Sequence, residues 1–170
     1  MENLKSLIKT YYDFPKKGIA FKDILGIIQD PEIFKELILK MSTNNVIKNS
    51  EAIISIDARG FIFGSAIAFH SSKPMICARK LGKLPGEIIK QSYELEYGEN
   101  TISIQKKALN KYSSYSIVDD LIATGGTVKS VSDLLQREGK KITGLLTVVE
   151  LEELSGSQKF NFPVESIIKL

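Results

Sequence analysis

Short apolar runs alternate along the chain with stretches whose apolar residues recur every three to four positions. "AIISI" (52–56) is apolar throughout, the signature of a strand covered on both faces. "PMICAR" (74–79), "YSIVDD" (115–120), "ITGLLTVVEL" (142–151) and "VESIIKL" (164–170) read as further strands. Between them lie helical patterns. In "DPEIFKELILKMS", Asp30 is placed as N-cap and Pro31 as the first helical residue, and Ile33, Phe34, Leu37, Ile38 and Met41 form one face. "FIFGSAIAFH" (61–70) is a second helix. "TVKSVSDLLQREG" is a third, with Val128, Val131, Leu134 and Leu135 inward and Gly139 as its stop. "SYELEYG" and "TISIQKKAL" read as a hairpin joined at Gly98-Glu99-Asn100. Strands separated by helices imply right-handed crossovers, hence an α/β fold with an open, mainly parallel twisted sheet flanked by helices. No repeat, linker or low-complexity tract divides residues 1–170, which read as one domain. About 25 N-terminal residues do not obviously join the sheet.

Composition adds few constraints. The chain is 43% hydrophobic and 25% charged, ordinary for a globular protein. No apolar run nears the roughly 20 residues of a membrane span, so no membrane partner is expected. "MENLKSLIKTYYDF" lacks the apolar core and cleavage site of a secretory leader. A single cysteine, Cys77, leaves no disulfide framework and no cysteine-cluster metal site. A cytoplasmic location is the expectation. The net charge of +3 favours anionic ligands weakly and a nucleic-acid surface no better. "ARKLGKLPGEIIK" concentrates Arg79, Lys80, Lys83 and Lys90 in one Gly/Pro-punctuated segment, which composition alone reads as a solvated loop.

Chemistry enters at the strand ends, because ligands of open parallel sheets collect beyond the strands' carboxyl ends. Three loops fall there: "DARG" after 52–56, the basic segment after 74–79, and "DDLIATGGT" after 115–118. In "ATGGT", Gly125 and Gly126 let successive N–H groups converge on an anion. Thr124 and Thr127 add hydroxyls, and a helix start follows. The same turn also fits an ordinary helix start, and it is not a nucleoside-triphosphate P-loop. Asp119 and Asp120 tip the balance. Adjacent carboxylates repel unless something satisfies them, and the vicinal hydroxyls of a ribose would do so. A ribose 5-phosphate supplies both halves: its phosphate for the turn, its diol for the acids. Solvated surface carboxylates are the alternative.

"VDDLIATGGT" resembles the phosphoribosyl-diphosphate signature of type I phosphoribosyltransferases. "FPKKGIAFKDI", "DARGFIFG", "RKLGKLPGE", "SYELEYG" and "VVELEELSG" add a likeness, in order and spacing over roughly residues 12 to 170, to the adenine phosphoribosyltransferase family. The resemblance implies a type I phosphoribosyltransferase fold with an N-terminal hood (about 1–30) and a flexible lid loop (79–95). It implies purine salvage: transfer of a 5-phosphoribosyl group from its 1-diphosphate to N9 of adenine, giving AMP and pyrophosphate. Carried over, Ala123, Thr124, Gly125, Gly126 and Thr127 would hold the 5-phosphate, and Asp119 and Asp120 the ribose. Asp57, Ala58, Arg59 and Gly60 would receive pyrophosphate together with Arg79, Lys80 and Lys83 of the lid. In related enzymes the "DARG" turn can carry a non-proline cis peptide; the sequence leaves this open. Phe21 and Leu121 would sandwich adenine, with backbone near Ala20 and Arg59 reading its edge. Glu96 would be catalytic, managing the proton near N7/N9; without the resemblance it reads as an outward strand glutamate. Mg²⁺ would be held mainly by substrate, with no protein metal site, since hard oxygen ligands suit it. A homodimer is implied because one lid residue in this family commonly reaches the partner's site.

The hood departs from the family pattern at Lys17, commonly proline, and Lys22, commonly arginine, so the ligand role of Lys22 is weakened by loss of the planar fork. His70, at a helix end, and Cys77, in a buried-type strand, are read as structural. Two other functions compete: a transferase acting on hypoxanthine, xanthine or orotate, and a nucleotide-sensing or nucleic-acid-binding regulator on the same fold. The short N-terminal region and the Glu96 and lid motifs speak against the regulator, and no nucleic-acid partner is expected.

Overall fold

Buried β-branched runs build the centre of the molecule. In the computed structural model, which describes residues 2–95 and 98–170, the chain opens with a 3-10 turn and a small antiparallel pair, β1 (Lys9–Tyr12) and β2 (Ala20–Asp23). Then follow α1 (Pro31–Ser42), α2 (Asn45–Lys48), β3 (Ala52–Ile56), α3 (Gly60–Ser71) and β4 (Met75–Lys80). The hairpin β5 (Ile88–Leu95) and β6 (Gly98–Gln105) leads to α4 (Lys106–Leu109). The chain closes with β7 (Ser114–Ile122), α5 (Gly126–Arg137), β8 (Lys141–Glu150), two 3-10 turns and β9 (Val164–Lys169).

Seven strands form one sheet in the order β5-β6-β4-β3-β7-β8-β9. The β4-β3-β7-β8-β9 pairings are parallel, and β6 pairs antiparallel with both β4 and β5. Every residue of β3 is buried, as a central parallel strand requires. One apolar layer places Leu37, Met41, Phe63 and Ile67 from α1 and α3 against Val118, Leu146 and Val148. The opposite layer seats Val128, Val131, Leu134 and Leu135 of α5 on Ile54, Tyr115 and Ile117. Each fully buried aliphatic side chain contributes about 1.5–3 kcal/mol. The helices end as their residues dictate. Asp30 Oδ1 accepts hydrogen bonds from Glu32 N (3.1 Å) and Ile33 N (3.0 Å), and Gly139 stops α5 at a positive φ of 66°.

This layering positions the site. The chain leaves β3 through α3 on one face and leaves β7 through α5 on the other. The adjacent carboxyl ends of these neighbouring strands therefore open a crevice at the point where strand order reverses.

Three boundaries differ from expectation. Gly98–Asn100, expected as the joint of the hairpin, is ladder instead, paired with Tyr93–Leu95. The "KKAL" end of the expected second strand winds into α4, where Lys106 N donates to Glu87 O at 3.0 Å. β7 runs on to Ile122 because β8 is long enough to pair Leu121 with Val149 and Ile122 with Glu150. Cys77 is half-buried rather than core, since β4 buries Ile76 and Ala78 instead.

Candidate active site

The two carboxylates stand near the carboxyl end of β7, Asp120 buried and Asp119 half-buried. Asp120 is 6% exposed, and its Oδ2 lies 2.8 Å from Arg59 Nε. Asp119 Oδ1 accepts a hydrogen bond from Asp120 N at 2.9 Å. Burial and the neighbouring Asp120 charge push the Asp119 carboxyl well above its ordinary range. Burial also raises Asp120, against the opposing pull of the Arg59 guanidinium. Two acids and one guanidinium leave the cluster short of positive or proton-donating partners, so it favours a ligand that supplies hydroxyl protons.

Arg59 precedes the first residue of α3, with Phe61 and Ile62 at the first turn behind it. Its guanidinium carbon sits 5.1 Å from the centre of the Phe21 ring, a cation–π contact that ties the N-terminal hood to the sheet. Arg59 Nη1 is buried without a hydrogen-bond partner, and Asp120 Oδ2 is near Nε but outside hydrogen-bond geometry. Buried N–H groups left unpaired are costly, which makes this one a donor poised for an acceptor on a ligand.

Beyond β7 the chain turns through Ala123–Gly125 into α5. Gly125 has φ +79°, a left-handed conformation that side chains disfavour, and its carbonyl accepts from Lys129 N at 2.8 Å. Arg59, Asp119, Asp120 and residues 121–128 line one open cavity of about 190 Å³. The two features that the sequence places side by side, diacid and glycine turn, therefore face one space.

The "DARG" turn follows β3 directly. Asp57 N donates to Ala78 O (2.9 Å), and the Asp57–Ala58 peptide is cis. Gly60 is pressed against β7: a methyl group there would stand 2.7 Å from Asp119 Oδ1 and 3.2 Å from Asp119 Cα. Arg79 Nε pairs with Asp57 Oδ2 at 3.0 Å and its guanidinium lies 5.7 Å from the Phe61 ring centre, so Arg79 joins this turn. Lys80 and Lys83 are exposed, and Arg79 Nη1 reaches Lys83 O at 3.4 Å. The segment 79–95, expected as a lid loop, is largely extended. Arg79 and Lys80 finish β4, Ile88–Leu95 is β5, and only residues 81–87 lie between strands. Glu96 lies outside the described residues, flanked by the paired Leu95 and Gly98.

In the hood, Phe21 on β2 meets Phe14 edge-on at 5.2 Å, with Arg59 on the ring as well. Ala20 is exposed, and Leu121 lines the cavity that Arg59 also lines. Lys22 Nζ donates to Thr10 Oγ1 at 3.0 Å across the β1–β2 pair, which engages the ammonium within the hood. Two residues lie in quoted motifs, at the start of "FPKKGIAFKDI" and the end of "VVELEELSG", yet were given no role from the sequence. Phe14 packs on Phe21, and Gly156 is buried against the Ala123–Gly125 turn.

No protein-family model matches the chain. It is 69% identical over 169 residues to adenine phosphoribosyltransferase of Prochlorococcus marinus (strain MIT 9515), with 99% of each chain covered. It is 43% identical over 168 residues to that of Mycoplasmopsis synoviae (strain 53), with 98% of each covered. Among solved structures it is similar to adenine phosphoribosyltransferase from Thermoanaerobacter pseudethanolicus (TM-score 0.91, 36% identity, 99% of each chain covered). It is also similar to that from Saccharomyces cerevisiae complexed with adenine and an imino-altritol bisphosphate (TM-score 0.88, 34% identity, 98% of this chain and 97% of the other). With fold, loop order and sequence all in agreement from end to end, the chain belongs to the adenine phosphoribosyltransferase family.

Proposed function

We propose that this protein is a purine salvage enzyme that transfers the 5-phosphoribosyl group of 5-phosphoribosyl 1-diphosphate to N9 of adenine, releasing AMP and pyrophosphate. The observation that carries the reading is the single cavity shared by the Asp119–Asp120 pair, of which Asp120 is buried, and the Ala123–Thr127 turn. A sugar monophosphate answers both. Its 5-phosphate takes the N–H groups of the turn and the positive end of α5, and its 2- and 3-hydroxyls donate to the two acids. The raised affinity of the acids for protons is the electrostatic counterpart of that choice, since hydroxyl donors relieve it without burying a new charge.

The remaining groups then divide the reaction between them. Adenine stacks on Phe21 with Leu121 opposite, backbone near Ala20 reads its edge, and the unpaired Nη1 of Arg59 supplies a directed donor beside the base. The Asp57–Gly60 turn takes the pyrophosphate, with Arg79, already beside Asp57, and the exposed Lys80 and Lys83 closing over it. As N9 forms its bond to C1′, the C1′–O bond to pyrophosphate breaks and the sugar gains oxocarbenium character. The closed lid keeps bulk water from capturing it. Glu96 orients the base and accepts its proton as N9 attacks, and its charge favours the cationic sugar.

Among the described residues no three His, Cys, Asp or Glu side chains gather into a metal site. The oxygen donors at the crevice suit a Mg²⁺ that brings most of its ligands on the diphosphate, where Asp119 and Asp120 would stand nearest. Bound there, the cation would neutralise the leaving pyrophosphate. A homodimer is supported by Phe69, a large apolar side chain of α3 left 90% exposed, while Ile62 and Ala66 of the same helix pack against the core. No helix among the described residues is long and apolar enough to cross a membrane. Cytoplasmic residence fits the lone free cysteine.

The test is mass-resolved detection of AMP and pyrophosphate from adenine and the donor, with and without Mg²⁺. Formation of both, dependent on Mg²⁺, is the expected result. No turnover of adenine alongside turnover of hypoxanthine, xanthine or orotate would overturn the base assignment.

A further inference from the structure

The segment between β8 and β9 runs behind the Ala123–Gly125 turn. It leaves the sheet where Leu151 N donates to Ile122 O at 3.0 Å, one residue before the Ala123–Gly125 turn. From Glu152 to Lys159 it is exposed or half-buried at every residue except Gly156, which is buried. That one residue presses on the back of the turn. A Cβ on Gly156 would overlap the carbonyl oxygen of Ala123 and stand 2.9 Å from both Gly125 N and Thr124 C. The contact is reciprocal, since a Cβ on Gly125 would lie 2.9 Å from Gly156 O and 3.3 Å from the Phe160 ring. Phe160 is itself held by stacking on Phe162, centres 5.0 Å apart, and packs against the core layer under α5.

We infer that Gly156 is a positioning residue: backbone laid on backbone, it fixes the height and tilt of the 5-phosphate turn, with Phe160 as the backstop. The three loop atoms that a Gly156 methyl would strike belong to the two peptide units joining Ala123, Thr124 and Gly125, residues that line the cavity. Backbone cannot swing aside as a side-chain end can, so any side chain at 156 drives the turn toward the ligand. The inference rests on the reading of that turn as the 5-phosphate site.

The experiment is steady-state kinetics of G156A in both directions. Displacing the turn by roughly 1 Å should raise KM for phosphoribosyl diphosphate, and for AMP in the reverse reaction, by about 10²-fold, with KM for adenine and pyrophosphate within about threefold. A residue that only stabilised the fold would lower the amount of active enzyme, and thus kcat, leaving every KM unchanged. Unchanged KM values for the two phosphate-bearing sugars, or an equal rise for all four substrates, overturn the inference. Should G156A not fold, F160L adds no bulk and removes the ring behind Gly125; a selective rise of the same two KM values is then expected, and no rise overturns the inference. A ligand-induced rise in Tm separates the two claims. Wild-type protein stabilised by AMP but unable to turn over adenine refutes the proposed function alone, and G156A stabilised by AMP as strongly as wild type refutes the role of Gly156. Wild-type protein neither stabilised nor active refutes both.

Discussion

Replacing Gly60 by alanine sets two effects of opposite sign against each other. Gly60 is the first residue of α3, so by propensity alone alanine should stabilise the helix by up to about 1 kcal/mol. The surroundings reverse that. The new methyl would lie 2.7 Å from Asp119 Oδ1, 3.2 Å from Asp119 Cα and 3.3 Å from Val118 O. The carboxylate oxygen cannot simply move away, because it holds Asp120 N at 2.9 Å. Rotating it off gives up a hydrogen bond to a charged group, about 1.5–3 kcal/mol; moving α3 instead costs a similar overpacking penalty, about 1–3 kcal/mol. Either exceeds the propensity gain. Net destabilisation of roughly 1–2 kcal/mol corresponds to a fall in Tm of about 2–8 °C for a chain of this length. The larger effect falls on the reaction, where a turned Asp119 no longer meets the ribose hydroxyl. Loss of one charge-assisted hydrogen bond predicts a drop in kcat/KM for phosphoribosyl diphosphate of about 10- to 100-fold. The assays are a thermal melt and initial rates with the donor varied. An alanine variant with higher Tm and wild-type kcat/KM would refute the reasoning, because propensity would then have won and the contact with Asp119 would carry no function.

Three further outcomes are expected. E96Q should lower kcat by about 10²-fold with an unchanged melting curve, and near-normal turnover removes Glu96 from the mechanism. Because Asp119 and Asp120 are raised above their ordinary value of 3.8, the folded protein binds more protons than the unfolded chain over the interval above that value. Stability of the ligand-free protein should therefore be fullest below pH 3.8 as far as these two groups contribute, and fall as pH rises through their folded pKa values. D119N should flatten that decline in urea titrations while abolishing use of the donor; an unchanged pH slope refutes the assignment. F69D, which places a charge on the most exposed apolar residue of α3, should turn the expected dimer into monomer in sedimentation, whereas wild-type sedimentation as a monomer removes the dimer itself.

Local patterning was enough to specify the elements and the chemical types. The apolar run 52–56, the Asp30-Pro31 start and the Val128–Leu135 stripe reappear as β3, the capped start of α1 and the inner face of α5, because each is set by local periodicity and capping. The diacid-and-glycine juxtaposition was equally legible, since the residues are neighbours in the chain. Boundaries set by a pairing partner were not: the pairing of Gly98–Asn100, the extra two residues of β7 and the extended character of 79–95 depend on how long the facing strand is. It took the packed fold to bring Arg59 between Phe21 and Asp120, to pair Arg79 with Asp57, and to lay Gly156 and Gly60 against the turn and the diacid. Those contacts join residues tens of positions apart, and glycine carries no side chain by which a pattern could reveal what it touches. Local periodicity constrains a residue's own backbone, whereas close approach across the crevice is fixed by how the sheet twists and the helices pack upon it.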